Sequence, residues 1–307
     1  MPGQVGKARS FLVVSLLACA AGCSSGKAGA GPIGVGYTKI DDMEGAGRLI
    51  EWTPPPGAAP GFWWSTTDCT EVDRISPVPS WADSGGWSYA ALPAPYETFA
   101  GIVSSRAARL RTTSPLVGIW GATLGLMFAG LPSADGGTFS SPEMVDAGDA
   151  GASTNGQPCI QPAGESFNGV PIDLSAYSGI TFWGMADPAG EKTIFVKFVD
   201  RNTDPRGGVC NAGDPSNDAS CYNGFSVGVA LTATFKQYTI DFSDLKQNPS
   251  WGYHSESGVL DLQHVFDLNF EVDLPSCSSD GASMCAGGNM PAVSFDFWID
   301  DLYFVNK

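Results

Sequence analysis

Apolar and polar residues alternate with a period of two along most of this chain. In "GITFWGM", Ile180 and Phe182 fall on one side and Thr181 and Trp183 on the other. In "TIFVKFVD", Val196 and Phe198 oppose Lys197, and in "VFDLNFEV", Leu268, Phe270 and Val272 oppose Asn269, Glu271 and Asp273. Successive side chains of a strand point to opposite faces, so each segment offers one face to a core and one to solvent. "ARLRTT", "WGATLGLMF", "FSVGVALT" and "KQYTIDF" repeat the pattern, separated by clusters of glycine, proline, serine and asparagine. No apolar pattern of helical period runs for a helix's length. Short alternating segments punctuated by turn residues predict an all-β fold, an antiparallel β-sandwich.

The closing stretch "FDFWIDDLYFVNK" adds a local feature. Phe295, Phe297 and Ile299 share a face, but after Asp301 the apolar set resumes at Leu302 and Phe304, one register out. That predicts a bulge at the aspartate pair. Carboxylates drawn into a core are costly unless something positive meets them.

The N-terminal residues read differently. Lys7 and Arg9 precede an apolar run, "FLVVSLLACAAGC", the layout of an export signal and too short for a membrane span. The run resembles the lipobox of bacterial lipoproteins. That resemblance implies a signal over residues 1–22 and an acylated cysteine, expected at Cys23, with Cys19 or plain secretion as alternatives. "SSGKAGAG" opens a flexible tether over 23–36. Residues 37–307 are expected to form a single domain, with surface insertions near 132–158 and 203–224. With Ser24 after the anchor, the expected location is the bacterial outer membrane or cell surface, with the membrane touched only through the lipid.

Composition narrows the partners. The formal charge is −16, and removing residues 1–22 takes away Lys7 and Arg9 and no acid. A surface this acidic repels nucleic acid and anionic headgroups. Of eight cysteines, setting aside Cys19 and Cys23 near the signal leaves six: Cys69, Cys159, Cys210, Cys221, Cys277 and Cys285. An even number in an exported chain reads as disulfides rather than zinc ligands, since no C-x-x-C pair occurs. Short loops favour Cys210–Cys221 and Cys277–Cys285 and leave Cys69–Cys159, although sequence alone does not fix connectivity.

The outward residues suggest chemistry. If their strands share a sheet, its outer face carries the Trp183 indole beside Lys197, Asn269 and Glu271. Aromatic rings stack on the C–H faces of sugars, while amides, carboxylates and ammonium groups bond hydroxyls. The competing reading places Trp183 under a loop and the polar groups on an ordinary solvated surface.

Five motifs in order carry a resemblance. "IDDMEG", "YSGITFWGMADPAGEKTIFVKFVD", "FKQYTIDFSDL", "GVLDLQHVFDLNFEV" and "WIDDLYF" span Ile40 to Phe304. Together they resemble family 11 carbohydrate-binding modules, which are galactose-binding-like jelly rolls; Phe235 stands where the family pattern has tryptophan. The resemblance implies a non-catalytic carbohydrate-binding protein whose partner is a polysaccharide or glycan. It also implies a structural calcium shared by the first and last strands, for which Asp42, Glu44, Asp300 and Asp301 are the expected ligands. A solvated acidic strand edge is the competing reading of those acids. By motif position, Trp251 and Tyr253 fall where the family places an aromatic contact, and Arg201, after its strand, could bond sugar hydroxyls. The family's cleft tyrosines are not reproduced. Because this fold hosts many functions, an assembly lipoprotein binding a protein partner remains the alternative.

Enzyme signatures are incomplete. "GFSVG" matches the G-x-S-x-G elbow literally, but alternation runs straight through Ser226, which makes it a strand residue. "EVDL" begins like the E-x-D-x-x-E of jelly-roll glucanases and lacks the second glutamate, so a glycoside hydrolase or lyase is the lesser alternative. "DRNTD" opens like a calcium loop, then places Pro205 where glycine is needed, and reads as a turn. The chain is therefore expected not to be an enzyme.

Overall fold

The computed structural model describes residues 36–45, 47, 49–67, 75–76, 89–97 (backbone only at 95 and 97), 103–116, 121–130, 169–211, 220–273 and 292–307. The expected signal, tether, Cys23, Cys19 and the 132–158 insertion lie outside the described residues, as do Cys69, Cys159, Cys277 and Cys285. Residues from Ile33 to Lys307 belong to one compact unit.

Within it, twelve strands among the described residues build two antiparallel sheets: β1 (Tyr37–Asp41), β2 (Ala59–Thr67), β3 (Ile75–Ser76), β4 (Ala90–Glu97), β5 (Val103–Thr112), β6 (Gly121–Gly130), β7 (Tyr177–Ala186), β8 (Thr193–Asp200), β9 (Phe225–Ala230), β10 (Lys236–Asp241), β11 (Val265–Asp273) and β12 (Asp296–Asn306). Sheet A runs β10–β7–β12–β5–β3, with β1 also on β12 and β4 also on β5; sheet B runs β2–β6–β11–β8–β9. The architecture is the expected all-β sandwich of jelly-roll type.

Alternation sorts the faces as expected. Ile180, Phe182, Val196, Phe198, Leu268 and Phe270 are fully buried between the sheets. Trp63 stacks on Phe270, whose ring meets Phe182 of the opposite sheet edge-on at 5.2 Å. Each such ring removed from water contributes about 1.5–3 kcal/mol.

β12 shows why the register slips at the aspartates. β7 pairs along one edge of β12, while its other edge is shared. β5 takes Asp296–Ile299, and β1 takes Leu302–Val305. The change of partner falls on Asp300 and Asp301, where pairing with β7 shifts and Asp301 adopts φ +47°. Phe297, Ile299, Leu302 and Phe304 all reach the core on either side of it.

Candidate functional site

The outer face of sheet B holds one row of residues across all five strands. Trp64 pairs with Gly125, Gly125 with Asn269, Asn269 with Lys197, and Lys197 with Ser226. At the usual strand spacing the row is about 19 Å long. Trp63 takes the core position of β2, so the adjacent Trp64 must face outward. Its indole lies against Gly125, where a Cβ would sit 2.2 Å from the ring. Glycine is required there by that close approach.

The polar groups of the row are largely organised already. Lys197 pairs with Glu271, and its methylenes run beside Gly224, leaving no room for a Cβ. Asn269 is buried, yet among the described residues its Oδ1 has no hydrogen-bond partner. A buried carbonyl of this kind costs free energy until a donor arrives.

Loops close one end of the face. Asp200 accepts bonds from the backbone N–H groups of Asn202, Thr203 and Asp261, so "DRNTD" is a bonded turn. It leads into a short 3-10 turn, Pro205–Gly207, from which Arg206 pairs with Asp204 and Asp267. Burial pushes Asp267 above the usual carboxylate range, opposed by Arg206. Arg201 is half exposed and pairs with Asp261 at 2.9 Å. Trp251 is 38% exposed on the loop after β10. Cys210 and Cys221 form the expected disulfide.

Trp183 does not belong to this face. Its strand, β7, is in sheet A, whereas Lys197, Asn269 and Glu271 stand on β8 and β11 of sheet B. All four point outward, as alternation requires, but from opposite sides of the sandwich. The expected constellation of four is therefore split. Tyr96 also covers the indole, with ring centroids 5.2 Å apart, and stacks on Phe235 at 4.4 Å. The residue that sequence reasoning missed is Trp64. Its signal was the doublet "WW" inside an alternating segment, which forces one ring in and one ring out.

Sheet A carries the acids. Asp41 is buried and accepts from Trp63 Nε1 (2.7 Å), Tyr89 OH (2.6 Å) and Met43 N (3.0 Å). Burial raises it to about 6 despite those bonds. Asp300 accepts from Ser104 Oγ (2.5 Å), Tyr96 OH (2.8 Å) and Asp301 N (2.8 Å). Burial first, then the neighbouring Asp301 charge, push it up to about 8. Burial, then Asp42, lift Asp301 to about 7. Burial works against ionised Glu44, but the backbone N–H groups of Ser105 (2.6 Å) and Arg106 (2.9 Å) and two serine hydroxyls hold it below the usual range.

These contacts redraw the expected ligand set. Among the described residues, the group of three or more acids with oxygens within 4.8 Å of one another is Asp41, Asp42 and Glu51, not the expected four. Glu44 is drawn instead to the N–H groups of β5. Lys39 already pairs with Asp42 and Glu51, so an ammonium supplies positive charge there. Asp300 and Asp301 differ, because no cationic side chain among the described residues contacts either. Two buried neighbouring carboxylates with only hydroxyl, phenol and amide donors fit an oxygen-seeking cation.

The serine of "GFSVG" sits in a regular strand. Ser226 lies within β9 and exchanges backbone bonds with Lys246. His254 Nε2 contacts the Asn248 carbonyl oxygen and His264 Nδ1 contacts Asp261, and among the described residues no side-chain bond joins either to Ser226.

No protein-family model matches the chain, and no curated protein matches it. Among solved structures it is similar to the solution structure of CtCBM11, at 13% identity and a TM-score of 0.40, over 90% of this chain and 98% of that one. A family 11 carbohydrate-binding module from Clostridium thermocellum, in complex with a β-1,3-1,4-mixed-linked tetrasaccharide, aligns at 12% identity and TM-score 0.38, over 89% and 97%. A family 30 carbohydrate-binding module aligns at 12% and 0.38, over 80% and 92%. At this identity and these scores, the likeness assigns neither ligand nor activity.

Proposed function

We propose that this chain binds a neutral polysaccharide, without cleaving it, across the outer face of sheet B. The observation that carries the reading is the row Trp64–Gly125–Asn269–Lys197–Ser226, with an unpartnered buried amide oxygen beside an outward indole. The indole stacks a pyranose ring, Asn269 Oδ1 accepts from a hydroxyl, and the Lys197–Glu271 pair flanks it with a donor and an acceptor. Lys197, Arg201 and Arg206 each already face a carboxylate, which favours uncharged sugars over uronates or sulfates. A stack and a few hydrogen bonds in competition with water give weak affinity, with Kd of ~10⁻³–10⁻⁵ M. Presentation of many copies on a lipid-anchored, exported chain, as residues 1–36 lead us to expect, would offset that.

A divalent cation such as calcium, held by Asp300 and Asp301 with Asp42 nearby, belongs to the same reading. Its role is to neutralise the acids where β12 changes partner, on the side of the sandwich away from the ligand.

A panel of soluble polymers in affinity electrophoresis tests the main claim. β-1,3-1,4-mixed-linked glucan, xylan and galactomannan represent the neutral class, and polygalacturonate the anionic one. Retardation by a neutral polymer that is lost in Trp64→Ala is expected. A panel that retards nothing overturns the reading.

A further inference from the structure

Three side chains of sheet B stand in an arrangement that hydrogen bonding does not exhaust. Lys197 of β8 and Asn269 of β11 are directly opposite each other in neighbouring strands. Residues so placed have Cβ atoms about 4.5–5.5 Å apart, within reach of a folded lysine side chain. Glu271 lies two residues along β11, on the same face, and holds the Lys197 ammonium in an ion pair. An amine, an amide carbon and a carboxylate thus meet on one patch of two bonded strands.

The patch is held in place and largely sheltered from water. The Lys197 and Glu271 side chains are 19% and 13% exposed, and Asn269 is 7% exposed. Gly224 packs against the Lys197 stem, where a Cβ would sit 2.9 Å from Lys197 Cγ, which blocks the stem on that side. On the other side Asn269 faces Gly125, which has no side chain to bond the amide. Among the described residues nothing donates to Asn269 Oδ1, so no hydrogen bond ties the amide carbonyl down. Away from water, the gap narrows between an ion pair and its neutral form, in which the proton has crossed to the carboxylate. A lysine in that form is a nucleophile.

We propose that Lys197 and Asn269 condense to an intramolecular amide cross-link between β8 and β11, with Glu271 acting first as base and then as acid. Glu271 takes one proton from Lys197 Nζ. The freed electron pair attacks Asn269 Cγ, a C–N bond forms, and the carbonyl π electrons move onto Oδ1. As they return, the Cγ–Nδ2 bond breaks. Nδ2 leaves as ammonium, with its own two hydrogens, one more from Nζ and the proton held by Glu271, which ends as the carboxylate. The step needs no cofactor, oxidant or second substrate. The product keeps the Asn269 carbonyl as an acceptor, so the cross-link neither requires nor opposes the carbohydrate reading. Freshly folded chain is the ion-paired species and is the reference for melts and titrations of other variants.

Mass spectrometry of the intact folded chain after prolonged incubation tests this. The wild type is expected to lose the mass of one ammonia, and its digest should contain a branched peptide joining the Lys197 and Asn269 segments. Lys197→Arg keeps the positive charge but forms no such amide, and Glu271→Gln removes the base; both should retain the full mass. The linked fraction should melt about 10 °C above the unlinked one, because the bond closes the chain between β8 and β11 into a covalent loop. Unchanged mass in the folded wild type overturns the inference. So does an ammonia loss confined to a linear peptide around Asn269, which marks succinimide closure instead. A branched peptide that forms equally in Glu271→Gln, or in wild type held in denaturant, also overturns it, because the folded triad would then not drive the reaction. Each of these outcomes is independent of whether the chain is retarded by a polymer.

Discussion

The two outer faces of the sandwich carry the same kinds of residue, each with a half-buried tryptophan, and organise their polar groups differently. Each presents a tryptophan from an alternating strand beside carboxylates. On sheet A the chain covers its own tryptophan: β4 loses register with β5 between Ala91 and Tyr96, and Tyr96 lies on Trp183 while its hydroxyl bonds Asp300. On sheet B the neighbour of Trp64 is a glycine, and the next strand offers an amide oxygen with no donor. The lesson concerns which polar atoms are left over rather than composition. Among the described residues, sheet A leaves the indole N–H groups of Trp183 and Trp298 without an acceptor, whereas sheet B leaves the Asn269 carbonyl, an acceptor that a sugar hydroxyl can satisfy.

The sharpest way to break this comparison is to remove each indole in turn. Trp64→Ala should cost about 2 kcal/mol or more of binding, roughly thirtyfold, with folding retained. Trp183→Ala should leave binding within about twofold and lower stability by about 2 kcal/mol, since a half-buried ring loses packing with Tyr96. Gly125→Ala sharpens the contrast, because the added Cβ would displace the Trp64 indole without removing it. Titration and thermal melts of the three variants decide. Loss of binding in Trp183→Ala alone would exchange the roles of the faces.

The acid pair gives the next largest effect. Asp300 and Asp301 have folded values of about 8 and 7 against an ordinary 3.8. A carboxyl raised on folding contributes stability that is fully present below its ordinary value and is lost as pH rises through the raised one. The cation-free protein should therefore lose stability from about pH 4 to 8. A bound cation favours the ionised form, so the Tm gained on adding calcium should grow across that window. Melts with calcium and with chelator check this, and superimposable curves at pH 8 would remove the cation.

Asn269→Leu should separate stability from binding. Its unpaired Oδ1 costs ~1–3 kcal/mol where it is buried, and an apolar side chain of similar size escapes that cost. The variant is expected to melt higher than wild type and to bind the polymer about tenfold more weakly. A lower Tm would mean that Asn269 supports the fold rather than the ligand.

Much of this was legible in the sequence, and what was not has a common cause. Alternation placed Ile180, Phe182, Val196, Phe198, Leu268 and Phe270 inward, and the register change in "WIDDLYF" marked the bulge at Asp300–Asp301. Alternation decides in from out within one strand, but says nothing about which strands are neighbours. Trp183 and Lys197 lie in consecutive strands, yet a sandwich connection sends them to different sheets, so their shared outward parity separated them. The same local rule applied to "FWWS" would have found Trp64. The covering of Trp183 by Tyr96 depends on a contact between β4 and β7, far apart in sequence, for which period and spacing carry no signal. Local contacts redirect one of the expected ligands as well: Glu44 has the right chemistry, but backbone N–H groups of β5 reach it.

The smallest expected effect is a near absence of one, and it tests whether sheet B's face is electrically closed. Lys197, Arg201 and Arg206 each pair with a carboxylate, so a neutral chain meets no unmatched cation there. Screening acts on charge–charge attraction, with the Debye length falling from about 30 Å at 0.01 M salt to about 3 Å at 1 M. Affinity for a neutral polymer should then change less than about twofold over that range, while polygalacturonate should fail to bind even at low salt against a chain of net charge −16. A steep loss of affinity with salt would show that the pairs open on binding and that an anionic group enters between them. In that case Lys197 would be the contact to the sugar and Glu271 only its resting partner. Glu271→Gln would then raise affinity for the acidic polymer, whereas for a neutral ligand it should weaken binding or leave it unchanged.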